Sequence, residues 1–283
     1  MASDDRALAF DCGTDRLYGI LSLPQQACAR GVLVVVGGPQ YRAGSHRQFT
    51  LLARHLADDG AAVLRFDYRG MGDSEGEARD FEAVADDLRA AIDAFMNAVP
   101  GLREVVLWGL CDAASAIAMY AATDARVAGV VLLNPWVRSD DGMARATLKH
   151  YYRARLLDPA FWRKLLRGRF DVAASLRSML GLARTALRGR ARPAAGAAAP
   201  AAFPERMRSG MQSFRGPVLL IFSGADLVAR EFCDLAGADP AWQRLLAASH
   251  VTRRQLDQAD HTFSRRAWRD QVADWTGTWL RSW

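Results

Sequence analysis

Residues 104–118 read Glu104-Val105-Val106-Leu107-Trp108-Gly109-Leu110-Cys111-Asp112-Ala113-Ala114-Ser115-Ala116-Ile117-Ala118. An apolar run, the pattern of a strand buried on both faces, gives way to an alanine-rich run, the pattern of a helix. The switch falls at Gly109-Leu110-Cys111-Asp112-Ala113. A strand that turns sharply into a helix packs backbone against backbone, so it needs small residues two positions before and after the apex. Gly109 and Ala113 meet that need, with Cys111 at the apex. Such a turn points the thiol outward at a helix N-terminus, where free N–H groups and the helix dipole favour the thiolate. A structural cysteine in a tight turn would leave the same pentapeptide, so the order of the rest of the chain has to decide.

The alternation continues on both sides. Upstream, Arg16–Leu23 reads as an antiparallel edge strand, and Gly31–Val36 and Ala61–Phe66 as buried strands. Helical spacing is found over His46–Ala57 and Phe81–Val99, the latter ending before Pro100. The helix begun at Asp112 extends to Ala122, followed by strands Val127–Leu133, Pro217–Phe222 and Val251–Leu256 and a closing helix Ser264–Trp279. Repeated strand–helix–strand units imply an α/β fold with a mainly parallel sheet and helices on both faces. Residues 136–215 break the pattern, dividing the chain into a first core segment (1–135), an inserted helical cap (136–215) and a second core segment (216–283). Within the cap the spacing predicts helices over Met143–Leu157, Asp158–Arg167, Asp171–Leu187 and near Glu205–Phe214, with a loose Ala/Pro/Arg tract at Arg188–Ala202.

With 283 residues, 51% of them apolar and 24% charged, the composition is that of a globular chain and excludes a disordered or fibrous one. No apolar run approaches the ~18–20 residues of a membrane span, and the start, with Asp4, Asp5 and Arg6, lacks a signal peptide's apolar stretch. The cysteines (Cys12, Cys28, Cys111, Cys233) are scattered without a C-x-x-C pair. That argues against a zinc site and for a reducing compartment, so a cytoplasmic protein without metal or cofactor is expected. Cys12, Cys28 and Cys233 are expected to be inert.

Chain order raises Cys111 above a structural cysteine. In sheets of this kind a nucleophile, an acid and a histidine follow successive strands. Asp226 follows the strand ending at Phe222, and His261 follows the one ending at Leu256. His46 is the main competing histidine, and Asp260 reads as a turn residue. In a Cys111–His261–Asp226 triad, His261 would accept the thiol proton and later protonate the leaving group, while Asp226 fixes the ring's tautomer. The developing oxyanion needs two N–H donors. The backbone of Asp112 is one candidate. Gln40 is the other, from the loop Gly37-Gly38-Pro39-Gln40-Tyr41, where Pro39 has no N–H.

The elbow, the G-G-P-Q loop, Phe66–Gly76 (F-D-Y-R-G-M-G-D-S-E-G) and D-H-T-F at 260–263 resemble the α/β-hydrolase superfamily. More closely, G-G-P-Q-Y-R-A-G-S-H-R-Q-F with G-L-C-D-A-A-S resembles the exosortase A system-associated hydrolase 1 family, which accompanies exopolysaccharide and PEP-CTERM sorting loci in Gram-negative bacteria. The resemblance covers essentially the whole chain and implies an α/β-hydrolase fold and a Cys-His-Asp triad at Cys111, His261 and Asp226. It implies no particular substrate. Two departures from the superfamily stand out: Cys in place of the usual Ser, and Gly37-Gly38 in place of the usual His-Gly. The expected activity is acyl hydrolysis of an ester, thioester or lactone through a thioester on Cys111. Acyl transfer from a thioester to an alcohol or amine is the alternative, since dienelactone hydrolases and polyhydroxyalkanoate synthases both resemble this elbow. A non-catalytic binding protein on a hydrolase fold is the reading from another class.

Other stretches carry less. Arg69–Ser74 is glycine-rich but lacks a G-K-[ST] ending, so it is expected to brace neighbouring loops rather than bind phosphate. Tyr41, Trp136, Tyr151, Tyr152, Phe161 and Trp162 are candidates to line a substrate pocket, and the cap aromatics serve equally as the cap's own core.

Charge is unevenly placed. Residues 138–216 hold 17 basic and five acidic residues, whereas the rest holds 20 and 26. All but two of the basic residues, Lys149 and Lys164, are arginines, which pair bidentately with phosphate and carboxylate. A solvated basic face is one account. Recruitment of an anionic partner is the other: an acyl-CoA or carrier-protein thioester, an acidic glycan, or a membrane surface. Nucleic acid is not expected, for no reading motif accompanies the charge. If the cap steers an anionic substrate, kcat/KM for that substrate falls with rising salt while a neutral short-chain ester is unaffected, because exposed charge is screened over ~8–10 Å. Reversing Arg163, Arg167 and Arg169 should reproduce the loss at low salt. Equal salt response for both substrates, with no binding to anionic vesicles, would leave only the solvated face.

Overall fold

A computed structural model describes residues 4–26, 28–38, 40–137 and 201–283. They contain strands β1 (Asp4–Cys12), β2 (Asp15–Leu23), β3 (Arg30–Val35), β4 (Ala62–Asp67), β5 (Glu104–Leu110), β6 (Val127–Leu133), β7 (Val218–Ser223) and β8 (Val251–Leu256). The helices are α1 (Gln48–Asp58), α2 (Ala85–Ala98), α3 (Asp112–Tyr120), α4 (Phe203–Ser213), α5 (Leu227–Ala238), α6 (Pro240–Leu246) and α7 (Arg266–Leu280). The strands form one sheet in the order β1-β2-β4-β3-β5-β6-β7-β8. β1, β2 and β4 pair antiparallel, and every pair from β4–β3 to β7–β8 is parallel.

Strand alternation decides where each face goes. Val32, Val34, Val106, Trp108, Val131, Leu133, Leu219 and Ile221 point to one side and pack with Phe49, Leu52 and Leu56 of α1 and with Val272, Ala273 and Trp279 of α7. Leu33, Leu107 and Leu132, of the opposite parity, are equally buried, and α2 and α3 lie against β3 and β5. Both faces are covered, which is why the central strands read as continuous apolar runs.

The sequence and the structure differ at several elements. β1 carries too few apolar residues to read as a strand; at the sheet edge most of its residues are exposed, and the turn at Gly13, with φ +64°, folds it onto β2. The helix expected from Phe81 is broken: Phe81–Ala83 is a 3-10 turn capped by Asp80, and α2 starts at Ala85. The first helix likewise begins with a 3-10 turn, Ser45–Arg47, in which His46 and Arg47 have positive φ. α5 and α6 had no counterpart in the reading. Residues 1–136 and 201–283 form one unit and 137–200 another. Helix α4, read as the end of the insert, packs on α3 of the main unit. The expected helices and loose tract between residues 143 and 200 lie outside the described residues.

The loop after β4 is tied to the loop after β3 through one carboxylate. Asp67, fully buried, accepts the Arg42 backbone N–H at 2.6 Å, and the Arg42 guanidinium bridges Asp67 to Asp73. A Cβ at Gly72 would lie 2.2 Å from Asp67 Oδ2, so this turn closes over the carboxylate only with glycine there. Asp67→Ala should therefore destabilise the fold by about 2–3 kcal/mol, since it removes the buried acceptor of both the Arg42 backbone N–H and its guanidinium. Asp73→Ala, at an exposed partner, should cost less than about 1 kcal/mol. Urea unfolding checks the contrast, and equal midpoints for the two variants would remove Asp67 from its central place.

Candidate active site

The elbow forms where β5 ends. Cys111 has φ 63° and ψ −125°, a conformation that costs an L-residue roughly 1–3 kcal/mol. It is held from both sides: the Cys111 N–H donates to the Leu133 carbonyl (2.9 Å), and the Cys111 carbonyl accepts from the N–H groups of Ser115 and Trp136 (3.3 Å each). The Ser115 hydroxyl donates to the Trp136 carbonyl at 2.6 Å and fixes the start of the next loop. A Cβ at Gly109 would lie 2.7 Å from Ile117 Cδ1 and 3.0 Å from the Ala113 backbone. Only glycine lets α3 fold back this closely on β5.

Asp226 and His261 are brought to the same edge. Asp226 follows β7 and caps α5, accepting from the N–H groups of Val228 (3.2 Å) and Ala229 (3.1 Å). Its Oδ2 lies 2.8 Å from His261 Nδ1. Burial disfavours the charged ring, but the hydrogen bond and charge of Asp226, together with the neighbouring Cys111 side chain, outweigh it and raise the His261 pKa to about 10. Asp260, the neighbouring acid, turns away to accept from the N–H and hydroxyl of Ser264. His46 sits in the turn before α1, and its carbonyl accepts from Arg269.

Asn134 escaped the sequence reading. It directly follows β6, is fully buried and has φ 42°. Its Oδ1 accepts the Ser223 N–H (2.8 Å), and its Nδ2 donates to the Ser223 hydroxyl and the His261 carbonyl (3.1 Å). One amide thus ties the acid-bearing strand end to the histidine loop. An asparagine after a buried strand is the only local signal, and it resembles any turn residue.

The Gly37–Gln40 loop lies beside the elbow. The donor that reaches across is the Gly38 N–H, 2.8 Å from Asp112 Oδ2; the Gln40 side chain accepts from the Ser45 N–H at 3.4 Å. Tyr41 is 52% exposed, which places it at the surface. Trp136 packs against Phe81 and Phe203 with ring centroids 5.2 and 5.5 Å away. Tyr151, Tyr152 and Trp162 lie outside the described residues. Among the described residues no cluster of three or more His, Cys, Asp or Glu could hold a metal ion.

A mostly parallel sheet of this order, with a strained elbow and an acid–histidine pair at its edge, defines an α/β-hydrolase. The chain belongs to the Hydrolase_4 family, described as serine aminopeptidase S33, whose model matches residues 27–262; the elbow of this chain carries cysteine. It is 31% identical over 133 residues to the quorum-quenching protein AidA of Acinetobacter baumannii (strain MDR-ZJ06), covering 45% of this chain and 42% of that one. It is 33% identical over 92 residues to the polyketide transferase grgF of a Penicillium species, 31% of each chain. The chain thus spans less than half the length of these curated relatives. Among solved structures, the esterase Pf2001 of Pyrococcus furiosus superposes with a TM-score of 0.66 at 15% identity, over 99% of this chain and 93% of that one. A dienelactone hydrolase from Anabaena variabilis ATCC 29413 superposes with a TM-score of 0.61 at 18% identity, over 98% and 97%. At these identities the superpositions show the fold.

The raised pKa of His261 has a consequence for stability. A histidine whose folded pKa lies above its ordinary value of ~6.5 contributes fully below that value, and the contribution is lost as pH rises through about 10. His261→Gln should therefore lower Tm at pH 6–7 and converge on the parent near the top of that window. A Tm difference that does not shrink with pH would show that the ring's charge contributes nothing to stability.

Proposed function

We propose that this protein is a cysteine-nucleophile acyl hydrolase acting on an ester, thioester or lactone. The observation that supports it best is the His261–Asp226 hydrogen bond together with Cys111, at a strained strand–helix turn, near enough to the ring to shift its pKa. Asp226 on Nδ1 leaves Nε2 of the ring for the thiol, so the proton passes from Sγ to His261 as a thiolate–imidazolium pair forms. The thiolate attacks the acyl carbon, the bond to the leaving group breaks, and His261 returns the proton to that group. Water then attacks the thioester, giving its proton to His261, and the Cys111–acyl bond breaks to release acid and thiol. For the oxyanion we assign the backbone N–H of Asp112 and, in place of Gln40, that of Gly38, the loop donor that faces the elbow.

Acyl transfer is the second reading, favoured by the similarity to a polyketide transferase; an alcohol or amine would replace water in the second step. A binding protein would have no use for three groups in one line. The closer resemblance to the exosortase-associated hydrolases rests on the quoted motifs and is proposed on them alone. So are the cytoplasmic setting and the anionic partner of the basic segment. No described helix is long and apolar enough to cross a membrane.

Cys111→Ala should abolish turnover and leave the fold intact, as small residues suit the elbow. Iodoacetamide should label Cys111 before Cys12 and Cys233, whose thiol pKa values burial pushes up. Asp226→Asn should lower kcat/KM by roughly 10²–10⁴-fold, and Asp260→Asn by much less. Wild-type turnover in the Cys111→Ala variant would sink the mechanism, and equal effects of the two Asn variants would sink the assignment of the acid.

A further inference from the structure

The residue after the elbow cysteine carries a carboxylate into the reaction centre. Asp112 Oδ2 accepts the Gly38 N–H at 2.8 Å, and Oδ1 accepts the Ala113 N–H at 2.9 Å. A Cβ at Gly37 would lie 2.1 Å from Asp112 Oδ1. Glycine at position 37 is thus a condition for this placement, which gives a physical reason for the departure from the usual His-Gly. A carboxylate offers about four acceptor positions; the N–H groups of Gly38 and Ala113 fill two, and the backbone N–H of Asp112 itself bears on a third. Among the described residues Asp112 forms no ion pair. The charge of Asp80 acts on it unfavourably, and its own charge helps to push the Tyr68 hydroxyl up to about 12. Burial raises the Asp112 pKa from its ordinary value, and the N–H groups of Gly38, Ala113 and Asp112 itself counter that only in part. The carboxylate thus keeps acceptor capacity for one further donor, and it lies one hydrogen-bond length from the Gly38 N–H that the proposed mechanism offers to the oxyanion.

We propose that Asp112 is a specificity-determining residue, whose carboxylate accepts a hydrogen bond from a hydroxyl or amine on the carbon next to the reacting acyl carbonyl. An acyl group with only hydrogen there sets an anion beside a developing oxyanion with nothing to offset it. One with an O–H or N–H there supplies the missing donor and draws the carboxylate away from the Gly38 N–H, freeing that donor for the oxyanion. The inference rests on the elbow reading above, because that reading fixes where the carbonyl lies.

The test compares matched thioesters of N-acetylcysteamine: propionyl, 2-hydroxypropionyl and 2-aminopropionyl. The parent protein should favour at least one substituted thioester over propionyl by about tenfold or more in kcat/KM, the scale of one hydrogen bond to a charged group. The hydroxyl and amine arms identify which donor is used. Asp112→Ala, and Asp112→Asn as the variant that keeps side-chain shape, should bring that ratio to within about threefold of unity, a difference near the noise of one neutral contact. Dissociation constants of the same thioesters for Cys111→Ala, with and without Asp112→Ala, should show the same preference and the same loss. No preference in the parent protein, or a preference that survives both Asp112 variants, would overturn the proposal. Absence of turnover with the binding preference intact would strike the nucleophile assignment and uphold the role of Asp112.

Discussion

The turn at Cys111 is the constraint on which everything else rests. Its backbone sits at φ 63°, and that strain is sustained by hydrogen bonds from neighbouring strand ends and by glycine at position 109. The bonds come from Leu133 at the end of β6, from Ser115 in the first turns of α3, and from Trp136. A sheet that did not place β6 beside β5 in register would have no carbonyl at that spot. Strain at one residue is therefore coupled to the order of the whole sheet.

A second economy appears at Asp226. The same carboxylate closes the first turn of α5 and orients the His261 ring. A helix cap is satisfied by acceptor oxygens whatever lies on the far side, so the cap fixes the carboxylate in place before histidine is considered. Asp226 is thus positioned by a rule of local helix chemistry, and its electrostatic effect on His261 follows from a geometry already set.

Much of this was legible in the sequence because it depends on local pattern. The central strands are buried on both faces and so read as apolar runs; Val127–Leu133 falls where the pattern puts it. Cys111, Asp226 and His261 could be named because each follows a strand and chain order limits the choice. What escaped depends on tertiary partners. β1 takes its identity from pairing with β2 rather than from apolar alternation. Asn134 is meaningful only beside Ser223 and His261, which are far away in sequence. The loop donor shifts from Gln40 to Gly38 because of where the Asp112 side chain lies, and no spacing rule encodes a side-chain direction.

The amide of Asn134 also has a bearing on when the site comes into being. It binds the end of β7 and the loop after β8, strands that follow Cys111 by a long stretch of chain. Until both are in place the histidine has no fixed seat. A growing chain carries Cys111 long before His261, and the two are brought to one place only once the sheet is complete.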